Sequence, residues 1–180
     1  MGIQVGDIIS HAEITMQEGV SLQKGMNFNM PSGVPVILMS TRRGAPYKDR
    51  VEDGGKTLIY EGHNVPKNLS DSPLESDQEI TLPSGKLTEN GRFFQAASDY
   101  KKGLSEAKLV KVYEKLRDGI WVFNGYFSLV DAFEELAERR VYKFMLLALN
   151  SEVIPDTVSP QLGFGRMIPS NVKQKVFARD

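Results

Sequence analysis

The clearest pattern of hydrophobic and polar positions is a series of short apolar runs typical of β-strands. Residues 34–40 form a continuous apolar run after a Pro-Ser-Gly turn, which predicts a buried strand. Further strands, rich in β-branched and aromatic residues, are predicted at 56–60, 107–114, 119–127 and 141–149. A helix is predicted from its N-cap Thr88 to Lys101, because the apolar residues between them share one face.

Two segments leave alternatives open. The pair Asn124-Gly125 is typical of a two-residue hairpin turn, but strong β-formers on both sides suit a glycine bulge inside one long strand equally well. Residues 128–140 begin with a possible capping box and continue with a helical stripe, so the local pattern favours a helix. The alternative is that the preceding strand runs on to Phe133 before a charged turn.

The remaining pattern sets the fold class. The polar stretch 63–77 contains two prolines and is predicted to be a long surface loop, a kind of segment that is more often functional than idle. Several strands with one clear helix favour a mostly β protein, a small barrel or curved sheet, over a doubly wound α/β fold.

Composition excludes several classes of function. The 180 residues include no cysteine, which excludes disulfides, cysteine-ligated zinc, iron–sulfur clusters and a thiol nucleophile. With only two histidines, a histidine-rich metal site is not expected. The sequence contains no Gly-Lys-Ser/Thr loop of the kind that binds nucleotide phosphates, so a nucleotide cofactor is not expected either. No apolar run approaches the roughly 20 residues of a membrane span, and the N-terminus lacks the pattern of a secretory signal. We therefore expect a cytoplasmic protein without a cofactor.

The net charge of −1 conceals an uneven distribution. Residues 41–67 carry a net charge of +2, residues 68–82 a net charge of −4, and residues 86–117 a net charge of +4. Such asymmetry permits a basic patch for phosphate binding on a nearly neutral protein. A solvated surface of mixed charge explains the same distribution equally well.

One candidate chemistry is that of a metal-dependent nuclease. Carboxylates and a histidine lie close together in the sequence, and such a set could hold a divalent cation. They are Asp49, Glu52, Asp53 and His63. Carboxylates in a glycine-rich loop are common, however, and solvated loop residues are the preferred interpretation.

Two tyrosines suggest a different chemistry. Tyr47 and Tyr60 each stand beside a charged loop that contains glycine. Two aromatic rings at loop edges could hold a flat ligand between them, such as an extruded nucleobase. On the residues alone, half-buried tyrosines at strand ends remain the simpler interpretation.

An ordered set of motifs resembles a known family. The set consists of residues 33–36, Tyr47 with Asp49, residues 60–62, residues 86–92, residues 109–112, residues 124–126 and residues 141–147. In order and spacing the chain resembles the SRA (SET- and RING-associated, YDG) domain. In particular, it is similar to the bacterial SRA-like modules that precede HNH nuclease domains in modification-dependent restriction enzymes. The resemblance covers about residues 5–149.

The sequence departs from the family pattern at three places, one of which is the spacing from Tyr47 to Tyr60, one residue longer than usual. Asn124 stands where the family has the Asp of Tyr-Asp-Gly. After the second tyrosine the family has a small hydroxyl residue and a glycine-rich turn, whereas this chain has Glu61, His63 and Asn64. A glutamate in the pocket would change which modified base fits, so hydroxymethylated and glucosylated cytosine enter the hypothesis beside 5-methylcytosine.

The resemblance implies a fold and a domain organisation. The expected fold is mostly β (α+β), a PUA-like or SRA-like curved β-barrel with flanking helices, in which residues 119–133 form one long bent strand. Residues 1–150 would form the modified-base-binding domain. Residues 151–180 would be a C-terminal extension or linker that leads to a nuclease domain after Asp180.

The resemblance also implies a function: recognition of 5-methyl- or 5-hydroxymethylcytosine in duplex DNA by flipping the base into an aromatic pocket. Tyr47 and Tyr60 match the two stacking positions, and Asp49 would accept a hydrogen bond from the exocyclic amine of the base. The implied pocket consists of Tyr47, Asp49, Tyr60 and Glu61. The implied DNA contacts are Gln23, Lys24, Met26, Arg42, Arg43, His63, Asn64, Lys67, Lys86, Asn90 and Arg92.

The resemblance implies a binding module with no catalytic residues and no metal of its own. Its partner would be double-stranded DNA carrying modified cytosine, with no membrane, and a homodimer could form through the nuclease domain. Two alternatives stay open at this point. They are the metal-dependent nuclease described above and a PUA-like RNA-binding module.

Overall fold

The computed structural model describes residues 2–149 and Met167 and contains, within them, eight β-strands and two α-helices. The first part of the chain contributes β1 Ile8–Ser10, α1 His11–Glu18, β2 Met26–Asn27, β3 Val36–Met39, β4 Arg50–Glu52 and β5 Thr57–Glu61. A short 3-10 helix, Asp53–Gly55, connects β4 to β5. The second part contributes α2 Glu89–Lys101, β6 Lys108–Arg117, β7 Ile120–Leu136 and β8 Arg140–Ala148.

The strands form one sheet in the order β2-β3-β6-β7-β8-β5-β4, and β1 pairs with β7 beside this path. Neighbouring strands are antiparallel except β3 and β6, which run parallel. The predicted fold class, mostly β with flanking helices, is confirmed. The expectation of a barrel needs a correction, because the sheet is not closed and ends at the short strands β2 and β4.

The longest strand, β7, decides both alternatives that the sequence left open. It continues without a turn through Asn124 and Gly125, where the pairing with β6 shifts by one residue between Val112 and Tyr113. Gly125 has a φ of +92°, a backbone conformation that glycine adopts without steric penalty. The glycine bulge and the long strand are therefore confirmed. The local helical pattern after residue 128 is overridden because this part of β7 pairs with β8 as far as Leu136.

The core lies on both faces of the sheet. Ile37 of β3 packs in a cluster that includes Phe93 of α2, whereas the adjacent Val36 packs in a second cluster with Ile14 of α1. Successive residues of a strand point to opposite faces, so a strand buried on both faces must be apolar throughout. This explains the continuous apolar run at 34–40 that the sequence showed.

Helix α1, which the sequence pattern did not predict, begins at a complete capping box. The Ser10 hydroxyl accepts a hydrogen bond from the Glu13 backbone, and the Glu13 carboxylate accepts one from the Ser10 backbone. At its other end, Glu18 is buried, with its carboxylate 3.1 Å from the Lys111 ammonium, and it also accepts a hydrogen bond from the Tyr113 hydroxyl. A buried ionic cluster thus fixes α1 to β6.

Met167 is the one residue after residue 149 that the structure describes. Met167 is buried in the cluster that packs against α2, and its N–H donates to the carbonyl of Gly55 at 2.7 Å. The rest of the predicted extension 151–180 lies outside the described residues. In the part of the chain that the structure describes, neither helix is long and apolar enough to cross a membrane.

The buried ion pair of α1 yields a stability prediction. Lys111→Met leaves the Glu18 carboxylate buried without its cation, so we expect the free energy of unfolding to fall by about 3–5 kcal/mol in urea titrations. Adding Glu18→Gln removes the uncompensated charge and keeps an acceptor for the Tyr113 hydroxyl, and should recover most of the loss. A free energy of unfolding of Lys111→Met within about 1 kcal/mol of the parent value would contradict this role.

Candidate nucleic-acid interface

The predicted pocket residues come together where two chain segments meet at one end of the sheet. Tyr47 and Asp49 lie on the connection between β3 and β4, and Tyr60 and Glu61 are the last residues of β5. Strands β4 and β5 pair antiparallel with Arg50 opposite Ile59. This pairing places the residues before β4 beside those at the end of β5, so the four residues lie near one another in the structure.

Asp49 joins the two segments through backbone hydrogen bonds. One carboxylate oxygen accepts from the N–H of Ser40 and the other from the N–H of Glu61, each at 3.0 Å. Burial, the dominant cause, raises the pKa of Asp49 to about 7 in spite of these two donors. The carboxyl group is therefore held in place by neutral partners, and each oxygen keeps further accepting capacity.

Glu61 does not serve the predicted role in the base pocket. It lies opposite Lys143 on β8, and its carboxylate is 2.6 Å from the Lys143 ammonium and 3.7 Å from the Arg139 guanidinium. It also accepts a hydrogen bond from the N–H of Lys48. A buried carboxylate needs such cations to offset its desolvation. Glu61 is thus committed to fixing β5, β8 and the 40–49 connection to one another.

The second predicted stacking residue, Tyr60, also differs from expectation. Strand β5 lies between β4 and β8 and is buried along its whole length, so the Tyr60 side chain is only 1% exposed and packs in the core. Its hydroxyl approaches Gly25 so closely that a Cβ at that position would lie 2.5 Å from the hydroxyl oxygen. Tyr60 is therefore a core residue that lines neither of the cavities beside Tyr47.

Tyr47 keeps an accessible position and stacks on a neighbour. It is half-buried, and its ring lies 5.6 Å from the imidazole of His63, centroid to centroid, with 21° between the planes. Burial raises the pKa of Tyr47, opposed by a hydrogen bond from the backbone of Asn64. Burial also lowers the pKa of His63 to about 4, with the charge of Lys24 as a smaller cause, so the stacked imidazole is neutral.

Two buried side-chain amides hold the chain where it leaves β5. The Asn90 side chain accepts from the N–H of His63 at 2.8 Å and donates to its carbonyl at 2.9 Å. Gln78 donates to the carbonyl of Gly62 and accepts from the N–H of Tyr142. A Cβ on Gly62 would lie 2.6 Å from the Asn90 oxygen, so only glycine fits here. Asn90, only 2% exposed, thus positions His63, and the predicted DNA contact at Asn90 is corrected.

The far end of the 63–77 loop is anchored to the turn between β7 and β8. The Arg139 guanidinium donates to the carbonyls of Pro73 and Ser76 at 3.2 and 2.8 Å. The backbone N–H of Arg140 donates to the carboxylate of Asp77 at 2.7 Å. The loop contains no helix or strand, as predicted, yet both of its ends are fixed to the sheet.

Two cavities open beside Tyr47. A cavity of about 490 Å³ is lined by Asp49, Gly25 and exposed polar or basic residues, and a larger one of about 930 Å³ is lined by His63 and the 64–76 part of the loop. Tyr47 and Lys24 belong to both linings, so these two side chains form the boundary between the cavities.

The predicted DNA contacts occupy four kinds of position, and Lys24 belongs to two of them. Four of them are exposed and line the smaller cavity: Gln23, Lys24, Arg42 and Arg43. The larger cavity is lined by Lys24, His63, Asn64, Asn90 and Arg92. Lys67 and Lys86 are exposed outside both linings, and Met26 is 0% exposed in the core, which corrects its predicted DNA contact.

The carboxylates of the alternative metal site are not arranged as ligands. Glu52 pairs with Arg50 at 2.7 Å, and Asp53 accepts a hydrogen bond from the Thr57 hydroxyl at 2.9 Å. Among residues 2–149 and Met167, no group of three or more histidine, aspartate or glutamate side chains is placed to hold a metal ion.

Sequence reasoning missed three residues that build the site. Lys143 forms an ion pair with Glu61, and Gln78 donates a hydrogen bond to the chain just after β5. Gly25 lacks a side chain where the Tyr60 hydroxyl approaches. Lys143 carried a usable signal, since a single lysine inside an apolar strand requires a buried acidic partner. Gln78 and Gly25 carried none, because their roles depend on which segments meet in space.

The raised pKa of Asp49 and the lowered pKa of His63 predict opposite pH dependences of the free energy of unfolding. Folded Asp49 keeps its proton up to about pH 7, so its contribution to stability is present at low pH and lost as pH rises from 3.8 to 7. Folded His63 stays neutral down to about pH 4, so its contribution is lost as pH falls from 6.5 to 4. In the parent protein the two slopes largely cancel.

Single variants should expose each slope. We expect His63→Phe to give a free energy of unfolding that decreases with pH between 4 and 7, and Asp49→Asn to give one that increases between 4 and 6.5. Each slope is limited to about 1.4 kcal/mol per pH unit. Urea unfolding from pH 4 to 8 measures both against the parent, whose other titrating groups are common to all three proteins. Parallel profiles would contradict the opposite shifts.

Comparison with known proteins identifies the fold. No family model matches the sequence, and no curated protein matches it. The SRA domain of SUVH5 in complex with methylated CHH DNA matches with a TM-score of 0.57 and 22% identity, over 81% of this chain and 88% of that chain. The complex of the same domain with fully hydroxymethylated CG DNA gives 0.56 and 22%, over 81% and 89%.

A restriction endonuclease is also among the solved structures of similar fold. The DNA modification-dependent restriction endonuclease AspBHI matches with a TM-score of 0.56 and 14% identity, over 100% of this chain and 84% of that chain. These identities establish similarity of fold. The resemblance read from the ordered sequence motifs is confirmed at that level, and the chain has the fold of an SRA domain.

Proposed function

We propose that this chain is a DNA-binding module that recognises 5-modified cytosine in duplex DNA by flipping the base out of the helix. The observation that carries the proposal is the meeting of Tyr47 with the buried carboxyl group of Asp49 in one cavity. A half-buried aromatic ring and a fixed hydrogen-bond acceptor are the two elements that a flipped cytosine requires.

The energetics of flipping fit this arrangement. Extruding a base costs a few kcal/mol, and stacking on an aromatic ring returns about 1–3 kcal/mol per base. Asp49 can accept a hydrogen bond from the exocyclic amine, since each of its oxygens already binds only one backbone donor. Because its position is fixed by two chain segments, little ordering of the carboxyl group is needed on binding.

Exposed positive charge surrounds the same cavity. Lys24, Arg42 and Arg43 line this cavity, and within the described residues the Arg42 side chain makes one long, exposed ion pair, with Asp118 at 3.4 Å. Such an exposed pair contributes little and can be exchanged for a phosphate contact. Contacts of this kind supply affinity that is independent of sequence and sensitive to salt. We propose that these three side chains bind the DNA backbone around the flipped nucleotide.

We further propose that the module has no catalytic activity and serves as the specificity part of a modification-dependent restriction endonuclease. The support is twofold: solved relatives with this fold are described as complexes with methylated or hydroxymethylated DNA and as such an endonuclease. Within the described residues, Glu52 also pairs with Arg50, Asp53 accepts a hydrogen bond from Thr57, and no group of carboxylates is placed to hold a metal ion. The RNA-binding alternative enters the test below as an outcome.

Fluorescence anisotropy at fixed salt tests the proposal with one duplex that carries cytosine, 5-methylcytosine or 5-hydroxymethylcytosine at a single position. We expect a preference of at least tenfold for a modified duplex, equivalent to about 1.4 kcal/mol. Tyr47→Ala should remove about 1–3 kcal/mol of binding to the modified duplex alone, because the stacking surface is lost.

Arg43→Ala serves as the matched control from the same connection. It should weaken binding to modified and plain duplexes alike and reduce the salt dependence, since a phosphate contact carries no information on the base. Equal weak binding to all three duplexes would refute recognition of the modification. Tighter binding to single-stranded RNA would favour the RNA-binding module instead.

A further inference from the structure

The imidazole of His63 lies close to both tyrosines of the site. One of its faces stacks on Tyr47. Its Nε2 atom points toward Gly25, where a Cβ would lie 3.0 Å from that nitrogen and 2.5 Å from the Tyr60 hydroxyl oxygen. A neutral aromatic ring therefore already covers one face of Tyr47.

We propose that His63 takes, in the DNA-free chain, the place on Tyr47 that the flipped base takes in the complex, and that the imidazole must leave for the base to enter. This inference rests on the proposed function and deepens it. An imidazole is flat and smaller than a pyrimidine, so it can stack on Tyr47 without the hydrogen bonds that a base would make to Asp49. His63 thus acts as an internal competitor of the nucleotide.

The contacts of His63 permit this exchange without refolding of the loop. Within the described residues its two hydrogen bonds are both made by its backbone, to the Asn90 side chain. The backbone is therefore fixed while the side chain is held only by stacking and packing. The cavity of about 930 Å³ borders His63 on the loop side, so a change of side-chain rotamer has space to place the ring there.

Competition by His63 would act only on the flipped state. Duplex DNA whose bases remain stacked contacts the charged rim and leaves the Tyr47–His63 pair intact. A base that enters the pocket has to displace the imidazole, so the apparent affinity for modified DNA is reduced by the fraction of molecules in which the site is covered. Removing the ring should raise affinity for modified DNA and leave that for plain DNA unchanged.

The test compares the parent, His63→Ala and His63→Phe on methylated and plain duplexes by fluorescence anisotropy. We expect His63→Ala to bind the methylated duplex about threefold to tenfold more tightly, the range that one stacked aromatic pair contributes. His63→Phe retains a flat ring and should bind about as the parent does. Leu74→Ala, in the same loop but outside both cavity linings, should leave binding unchanged.

Proton NMR of the imidazole provides a second readout. The His63 ring protons should show a ring-current shift in the free protein that Tyr47→Leu abolishes, and the methylated duplex should abolish it while the plain duplex does not. If the parent prefers methylated DNA but the shift persists at saturation, or if His63→Ala binds no more tightly, the inference is wrong and the proposed function stands. If the parent shows no preference for modified DNA, the proposed function fails and the inference falls with it.

Discussion

The candidate site depends on the satisfaction of backbone polar groups where β5 leaves the sheet. A chain that turns away from a strand beneath a helix has N–H and C=O groups that are removed from water, and each one left without a partner would cost about 1–3 kcal/mol. Asn90 and Gln78 meet this requirement with side-chain amides, which can donate and accept at once. Their reach is short, and for this reason Gly62 must lack a side chain.

The carboxyl groups of the two acidic residues of the site, Asp49 and Glu61, are stabilised in different ways. Glu61 is compensated by Lys143 and Arg139, and this arrangement secures the strands behind the site. Asp49 accepts hydrogen bonds from two backbone N–H groups, and burial raises its pKa to about 7 in spite of them. A fully paired carboxylate is well suited to structure, whereas an uncompensated one keeps the capacity to bind a further donor. The division of labour follows from which neighbour each strand position faces.

Much of the fold could be predicted from the sequence because long buried strands and a capped helix leave strong local patterns. Helix α1 was missed because its buried face contains Glu18 beside Ile14, so no apolar stripe marks it. Strands β2 and β4 are too short for any periodicity. The family resemblance placed Tyr47 and Asp49 together, but the difference between Tyr47 and Tyr60 could not be read locally. It arises because Tyr60 packs in the core cluster that contains Phe93 of α2, a contact that exists only in the assembled fold.

The open sheet has a consequence for association between chains. An unclosed sheet exposes unpaired backbone groups at its edges, which are a template for the addition of a foreign strand. Here the two edge strands, β2 and β4, are only two and three residues long, and β4 carries an Arg50–Glu52 ion pair across its outer surface. Within the described residues, each of these two edge strands offers an incoming strand a ladder of at most three residues, too short to hold it. The short edge strands thus limit edge-to-edge aggregation although the sheet is not closed.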